Sequence, residues 1–93
     1  MNITAIFLNS PFDDEIRIDC ESIKLNTTTD GEIVILPNFR KSIFEIKDTI
    51  LECKNNDKIR KIQISGNGII KFDNKNNVLN CFGLFSEIKD TDK

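Results

Sequence analysis

The 93-residue chain has no histidine, no tryptophan and no tyrosine. Without an imidazole it cannot assemble a Ser-His-Asp or Cys-His nucleophile, an imidazole zinc site, or a side chain that titrates near neutral pH, which removes most compact hydrolase mechanisms. Without Trp or Tyr, a groove for single-stranded nucleic acid would have to stack bases on the seven phenylalanines, several of which belong in a core. The net charge of −2 supplies no general attraction for phosphate backbones or anionic membranes, so no nucleic-acid partner is expected. No apolar run approaches a bilayer span, and Met1-Asn2-Ile3-Thr4 lacks the basic and long apolar stretches of a signal peptide. The expectation is a cytoplasmic protein with no direct membrane insertion. Cys20, Cys53 and Cys81 are odd in number and widely spaced, with no CxxC pair, and read as reduced core residues rather than a metal or redox site. Two glycosylation patterns, at Asn2 and Asn26, have no consequence without export.

What is present is a globular mixture, 39% apolar and 30% charged, enough for one domain with a single core. Its apolar residues recur at a spacing of two. Ile16, Ile18 and Cys20 alternate with Arg17 and Asp19, Ile23 and Leu25 follow after a shift, and Ile62 with Ile64 and Ile70 with Phe72 repeat the pattern. Leu79 and Cys81 alternate beside Val78 and Phe82, so the last strand carries apolar residues on both faces. Clusters of turn formers separate these runs: Asn9-Ser10-Pro11, residues 27–31, Pro37-Asn38, Asn55-Asn56-Asp57, Gly66-Asn67-Gly68 and residues 73–77. With no helical stripe before residue 84, the chain is predicted to be all-β, an antiparallel sandwich of short strands or a small barrel. Within it, Ile33 to Leu36 is too short for a helix and suits a buried strand, which Pro37 must end because it has no N–H for the ladder.

Residues capable of chemistry have simpler readings. The run Asp13-Asp14-Glu15 could hold a hard cation, but consecutive acids on a strand point to alternate faces and form a solvated surface. Ser65-Gly66-Asn67-Gly68 could form an anion nest, yet it lacks the phosphate-loop lysine and is expected to be a tight strand-to-strand connection. Arg40-Lys41 and Lys58-Ile59-Arg60-Lys61 are small basic patches that leave one alternative open: a free-standing binding module for an anionic polymer or a protein partner.

Read in order, Ser10-Pro11, Glu21-Ser22-Ile23, Asp30-Gly31-Glu32-Ile33 with Ile35-Leu36-Pro37-Asn38, and Ile64-Ser65-Gly66 resemble the N-terminal domain of the epsilon subunit of F-type ATP synthases. That family shows TP, ESV, GE-x-GILPNH and ISGG in this order and at nearly these spacings, and the resemblance covers residues 3–83. It implies a flattened, antiparallel β-sandwich in residues 1–85 with a charged tail in 86–93. It also implies a non-catalytic rotor subunit of the central stalk that binds the gamma subunit and, in the proton-driven enzyme, rests on the membrane rotor ring. By the resemblance, Ser10, Ile43 and Phe44 fall at the gamma interface, while Glu32, Asn38 and Phe39 fall at the ring-facing or output-facing end. The location implied is peripheral to the membrane through the complex, with no cofactor.

The sequence departs from the pattern in places. Phe39 replaces the usual His, Arg40-Lys41-Ser42 replaces an apolar-proline stretch, Lys47-Asp48 replaces a PG turn, and Asn67 replaces the second Gly of SGG. These changes gather where a ring would dock and weigh against ring contact more than against gamma contact, as in an F-type-like ATPase driving another process. Residues 87–93 are too few and too charged for the helical hairpin of many family members, so no C-terminal hairpin, nucleotide site or hairpin-type inhibition is expected.

Overall fold

The computed structural model describes residues 2–9 and 14–88. Among them are eight strands and no helix: β1 (Ile3–Asn9), β2 (Asp14–Cys20), β3 (Ser22–Thr27), β4 (Gly31–Ile35), β5 (Ser42–Lys47), β6 (Ile50–Asn55), β7 (Lys58–Asp73) and β8 (Val78–Ile88). Hydrogen bonding joins them in one open sheet, β2-β1-β8-β7-β6-β3-β4, with β5 attached to β7.

That sheet doubles over, and β7 shows how. Its first part pairs with β6, from Lys58 to Gln63, whereas β5 pairs with the later part, from Asn67 to Phe72; β8 follows both parts. Layer one is therefore β2-β1-β8-β7-β5, and layer two is β4-β3-β6-β7-β8, sharing the two long strands. Alternation packs the inner faces together. Ala5, Phe7, Ile18, Phe44, Ile70, Phe72, Leu79 and Cys81 come from layer one, and Ile23, Leu25, Ile35, Leu51, Cys53, Ile62, Ile64 and Phe85 from layer two, all in one buried cluster. Phe7 and Phe85 meet edge to face across the layers, centroids 5.1 Å apart.

The fold begins at the kink in β7. The pairing register with β8 shifts between Ser65 and Ile69, and Gly66 takes φ +78°, so residues 65–68 form a bulge inside one 16-residue strand. The sequence predicted a reversal here. The chain instead bends and continues, because Gly68 lets the strands approach closely: a Cβ on it would lie 2.1 Å from Ile64 Cδ1 and 2.9 Å from the Phe82 carbonyl oxygen. The β5–β6 connection is fastened to the same place. Asp48 N–H donates to the Gly66 carbonyl at 2.9 Å, Gly66 N–H donates to Asp48 Oδ1 at 2.6 Å, and Ile64 N–H donates to the Thr49 carbonyl at 2.9 Å. The chain thus crosses from layer one to layer two where β7 does.

Two further differences from the sequence reading are architectural. The 16-residue β7 and 11-residue β8 are not short, since each serves both layers. The β1–β8 pairing is parallel, the other strand pairs antiparallel; no hairpin constrains two strands so far apart in sequence.

The corner after β4 is a tight turn. Phe39 N–H donates to the Leu36 carbonyl at 3.0 Å, Pro37 takes the first central position, and Asn38 takes the second with φ +68°, the arrangement of a type II turn. Asn38 N–H also donates to Asn77 Oδ1 at 2.6 Å, which ties the corner to the β7–β8 turn. Asn38→Gly should leave stability within about 0.5 kcal/mol, whereas Asn38→Val, a β-branched residue in a left-handed conformation, should cost about 1–2 kcal/mol. Urea midpoints of the two variants check this; equal midpoints would show that the conformation carries no strain.

Candidate interaction surface

The two outer faces of the sandwich differ in what lies at their centres. On layer one, register neighbours form the row Glu15, Leu8, Phe82, Ile69, Glu45 and, beside it, the row Arg17, Ile6, Asn80, Lys71, Ile43. Alternation dictates this, because Phe7, Cys81, Ile70 and Phe44 point inward and their neighbours must point out. The first row is apolar in its middle, while the second carries Asn80 and Lys71 there: Ile6 and Leu8 are half-buried, and Phe82, Ile69 and Ile43 are 39%, 44% and 69% exposed. Lys71 lies with its Nζ 6.0 Å from the Phe82 ring centroid, and Glu15, Arg17 and Glu45 form a charged rim.

Layer two also exposes apolar residues, Ile50 and Ile59 among them, but one of its rows is charged at its centre. The row Val34, Lys24, Glu52, Lys61, Ile88 has charge in its middle and apolar residues at its margins. Lys24 stands 3.9 Å from Glu32 and 3.8 Å from Glu52, exposed pairs that contribute little energy but keep this face solvated. An apolar centre with a polar rim is the anatomy of a protein interface, and layer one has it.

The candidate residues from the sequence fall in separate places. Ser10 lies outside the described residues. Ile43 stands on the apolar face, on edge strand β5, but Phe44 does not: it is 8% exposed and packs in the core, so the surface reading of Phe44 is corrected. Phe39 is half-buried against Phe44 and Phe72, with centroids 6.3 and 6.2 Å away, and Arg40 caps it at 5.7 Å. It seals the core at the corner that the resemblance placed at the ring-facing or output-facing end. Glu32 opens β4 and is exposed, while Asn38 lies three residues past the far end of that strand. The two lie six positions apart, Glu32 near the start of β4 and Asn38 in the turn that follows its end.

Sequence reasoning missed Phe82, Ile69, Leu8 and Ile6. The signal was there: Cys81-Phe82 and Ile69-Ile70 are adjacent apolar residues, and one of each pair must face outward on any strand. The basic residues of the alternative reading are divided between the β4–β5 connection and the start of β7, and Arg60 is engaged by Glu87 through Nε at 2.7 Å and a second nitrogen at 2.8 Å. That hydrogen bond raises the guanidinium pKa above its ordinary value.

Chemistry has little to work with. Among the described residues no three His, Cys, Asp or Glu side chains are placed to hold a metal, and no buried side-chain nitrogen or oxygen lacks a partner. Among the described residues no helix is long and apolar enough to cross a membrane.

These features define a two-layered, all-β sandwich with an apolar-centred outer face. The same fold occurs in a chain of the mitochondrial ATP synthase of Euglena gracilis, in an OSCP/F1/c-ring structure, with a TM-score of 0.78 and 18% identity over 98% of this chain. It also occurs in the central stalk/c-ring structure of the Tetrahymena thermophila mitochondrial ATP synthase, with a TM-score of 0.69 and 12% identity over 90% of this chain. The chain spans 56% and 64% of the lengths of those two chains. No protein-family model and no curated protein sequence matches it. At these identities the likeness is one of fold.

Proposed function

We propose that the chain is a non-catalytic central-stalk subunit of an F-type or F-type-like rotary ATPase, equivalent to the sandwich domain of an epsilon subunit, and that it binds the gamma subunit. The observation that carries this is the fold likeness across 98% of the chain to a component of an ATP synthase F1/c-ring assembly. The motif order of the sequence points the same way, and the layer-one face supports the reading with a surface suited to an obligate partner.

On this reading the gamma subunit covers Leu8, Ile69, Phe82 and Ile43, and Ser10, outside the described residues, is proposed as a further gamma contact. Burying such a centre yields on the order of 25 cal/mol per Å² of apolar area before the costs of association. The output end is proposed at Glu32 alone or with the 36–39 corner, and contact with a rotor ring belongs to this proposal. The complex then holds the protein at the membrane periphery.

Purification of the tagged protein from its native cells tests the assignment. The expected result is stoichiometric recovery of ATPase subunits, including a coiled-coil gamma-like subunit. Recovery of the tagged chain by itself under gentle conditions would overturn it.

A further inference from the structure

The apolar row of layer one has an acid at each end, and the two acids differ. Glu15, at the β2 end, is paired with Arg17. Glu45, at the β5 end, is exposed, and among the described residues nothing forms an ion pair or hydrogen bond with its carboxylate. Two lysines share its face. Lys47 on β5 and Lys71 on β7 both stand outside ion-pair distance, and the Lys71 ammonium lies by the Phe82 ring instead. Thr28, in the β3–β4 connection, donates its N–H at 3.2 Å and its hydroxyl at 3.4 Å to the Glu45 backbone carbonyl, which pins this end of β5 and leaves the carboxylate alone. Beside it lies a cleft of about 420 Å³ lined by Thr28, Glu45, Asn67, Gly68, Ile69 and Phe82.

We propose that this cleft receives a lysine or arginine of the gamma-like subunit, its carbon stem lying over Ile69 and Phe82 and its cationic head on the Glu45 carboxylate. The inference rests on the rotor-stalk reading and names the chemistry of the partner at one point of its surface.

Charge and shape both ask for that occupant. A partner that covers Leu8, Phe82 and Ile69 also takes water from the carboxylate at the end of their row, and a desolvated carboxylate is costly unless a cation meets it. At the β2 end Arg17 already answers this need for Glu15; at the β5 end the cation has to come from outside. Glu45 stands one strand beyond Ile69 and two beyond Phe82, about 5 and 10 Å across the sheet. A short donor such as serine, entering above the apolar residues, falls short of the carboxylate. Lysine and arginine have apolar stems that lie along such a surface while the charged head reaches its edge. An acidic partner residue is excluded from the same place by like-charge repulsion, so Glu45 also fixes how the partner is seated along the row.

The test titrates the coiled-coil subunit recovered with the tagged protein against the parent chain, Glu45→Gln, and Glu52→Gln on layer two. Glu45→Gln should melt with the parent, because the carboxylate it replaces is exposed and unpaired, yet bind about tenfold more weakly and with less dependence on salt. Glu52→Gln should bind within twofold of the parent. A photo-crosslinking amino acid at position 45, in the complex isolated from cells, should label a peptide of that subunit containing Lys or Arg. Changing that basic residue to Glu should weaken binding to the parent, and Glu45→Lys should recover most of the loss. If the subunit binds Glu45→Gln as tightly as the parent, if the labelled peptide has no basic residue, or if the charge swap recovers nothing, this inference is overturned while the rotor-stalk reading stands. Recovery of the tagged protein without any rotary ATPase subunit would overturn both.

Discussion

Replacing Gly68 by alanine is expected to lower stability by about 3 kcal/mol, the upper end of what overpacking costs, because the added carbon meets backbone as well as side chain. The new Cβ would lie 2.1 Å from Ile64 Cδ1, which is buried and has no room to swing, and 2.9 Å from the Phe82 carbonyl, which is fixed in the β7–β8 ladder. Relief requires the two strands to separate where both layers and the β5–β6 connection meet. For a domain whose whole stability is of the order of 5–15 kcal/mol, that is a large fraction. With urea slopes of about 1–3 kcal/mol per M, the midpoint should fall by roughly 1–3 M. A double-mutant cycle separates the contacts: Ile64→Val removes Cδ1, so in the double variant the two losses should sum to less than their parts. If Gly68→Ala unfolds at the parent midpoint, the close approach at the kink is not what shapes the sandwich.

The other large effect is on binding. Phe82→Glu places a carboxylate in the middle of the layer-one face, between Leu8 and Ile69. If a gamma-like subunit covers that face, the charge is buried without a partner and association should weaken at least 100-fold, corresponding to about 3 kcal/mol or more. The domain itself should lose only about 1 kcal/mol, because Phe82 is already 39% exposed and its ring gives up one cation–π contact with Lys71. Lys61→Glu on layer two, whose centre is charged, is the control and should leave affinity unchanged within about twofold. Titration of purified variants against the partner subunit distinguishes the outcomes. Equal loss in the Phe82 and Lys61 variants would place the contact elsewhere.

Much of this fold was legible from spacing alone. Ile62, Ile64, Ile70 and Phe72 keep one parity, and the buried pattern of β7 follows that parity through Gly68. The unbroken parity argued for one strand across residues 65–68, but the Gly-Asn-Gly composition argued for a turn. What decided between them was the close approach of β8, a contact between residues 14 or more positions apart that no local pattern records. The parallel β1–β8 pairing was invisible for the same reason.

The site was less legible than the fold. Phe44 and Ile46 share a parity that marks both as inward, and this spacing would have assigned Phe44 to the core and Ile43 to the surface without coordinates. The apolar centre of layer one needs three strands in register before Leu8, Phe82 and Ile69 become neighbours, so sequence could offer each exposed residue but not the patch. The family resemblance supplied the expected partner; the position of the face required the fold.

The central claim is that the outer face of layer one rides against a stalk subunit while the charged row of layer two around Lys61 does not. A photo-crosslinking amino acid at position 82, compared with one at position 61, tests it in the complex isolated from cells. The account expects the residue-82 probe to join the protein to a coiled-coil subunit of a rotary ATPase and the residue-61 probe to leave that subunit unlabelled. Labelling of that subunit from 61 but not from 82, or from neither, would contradict it.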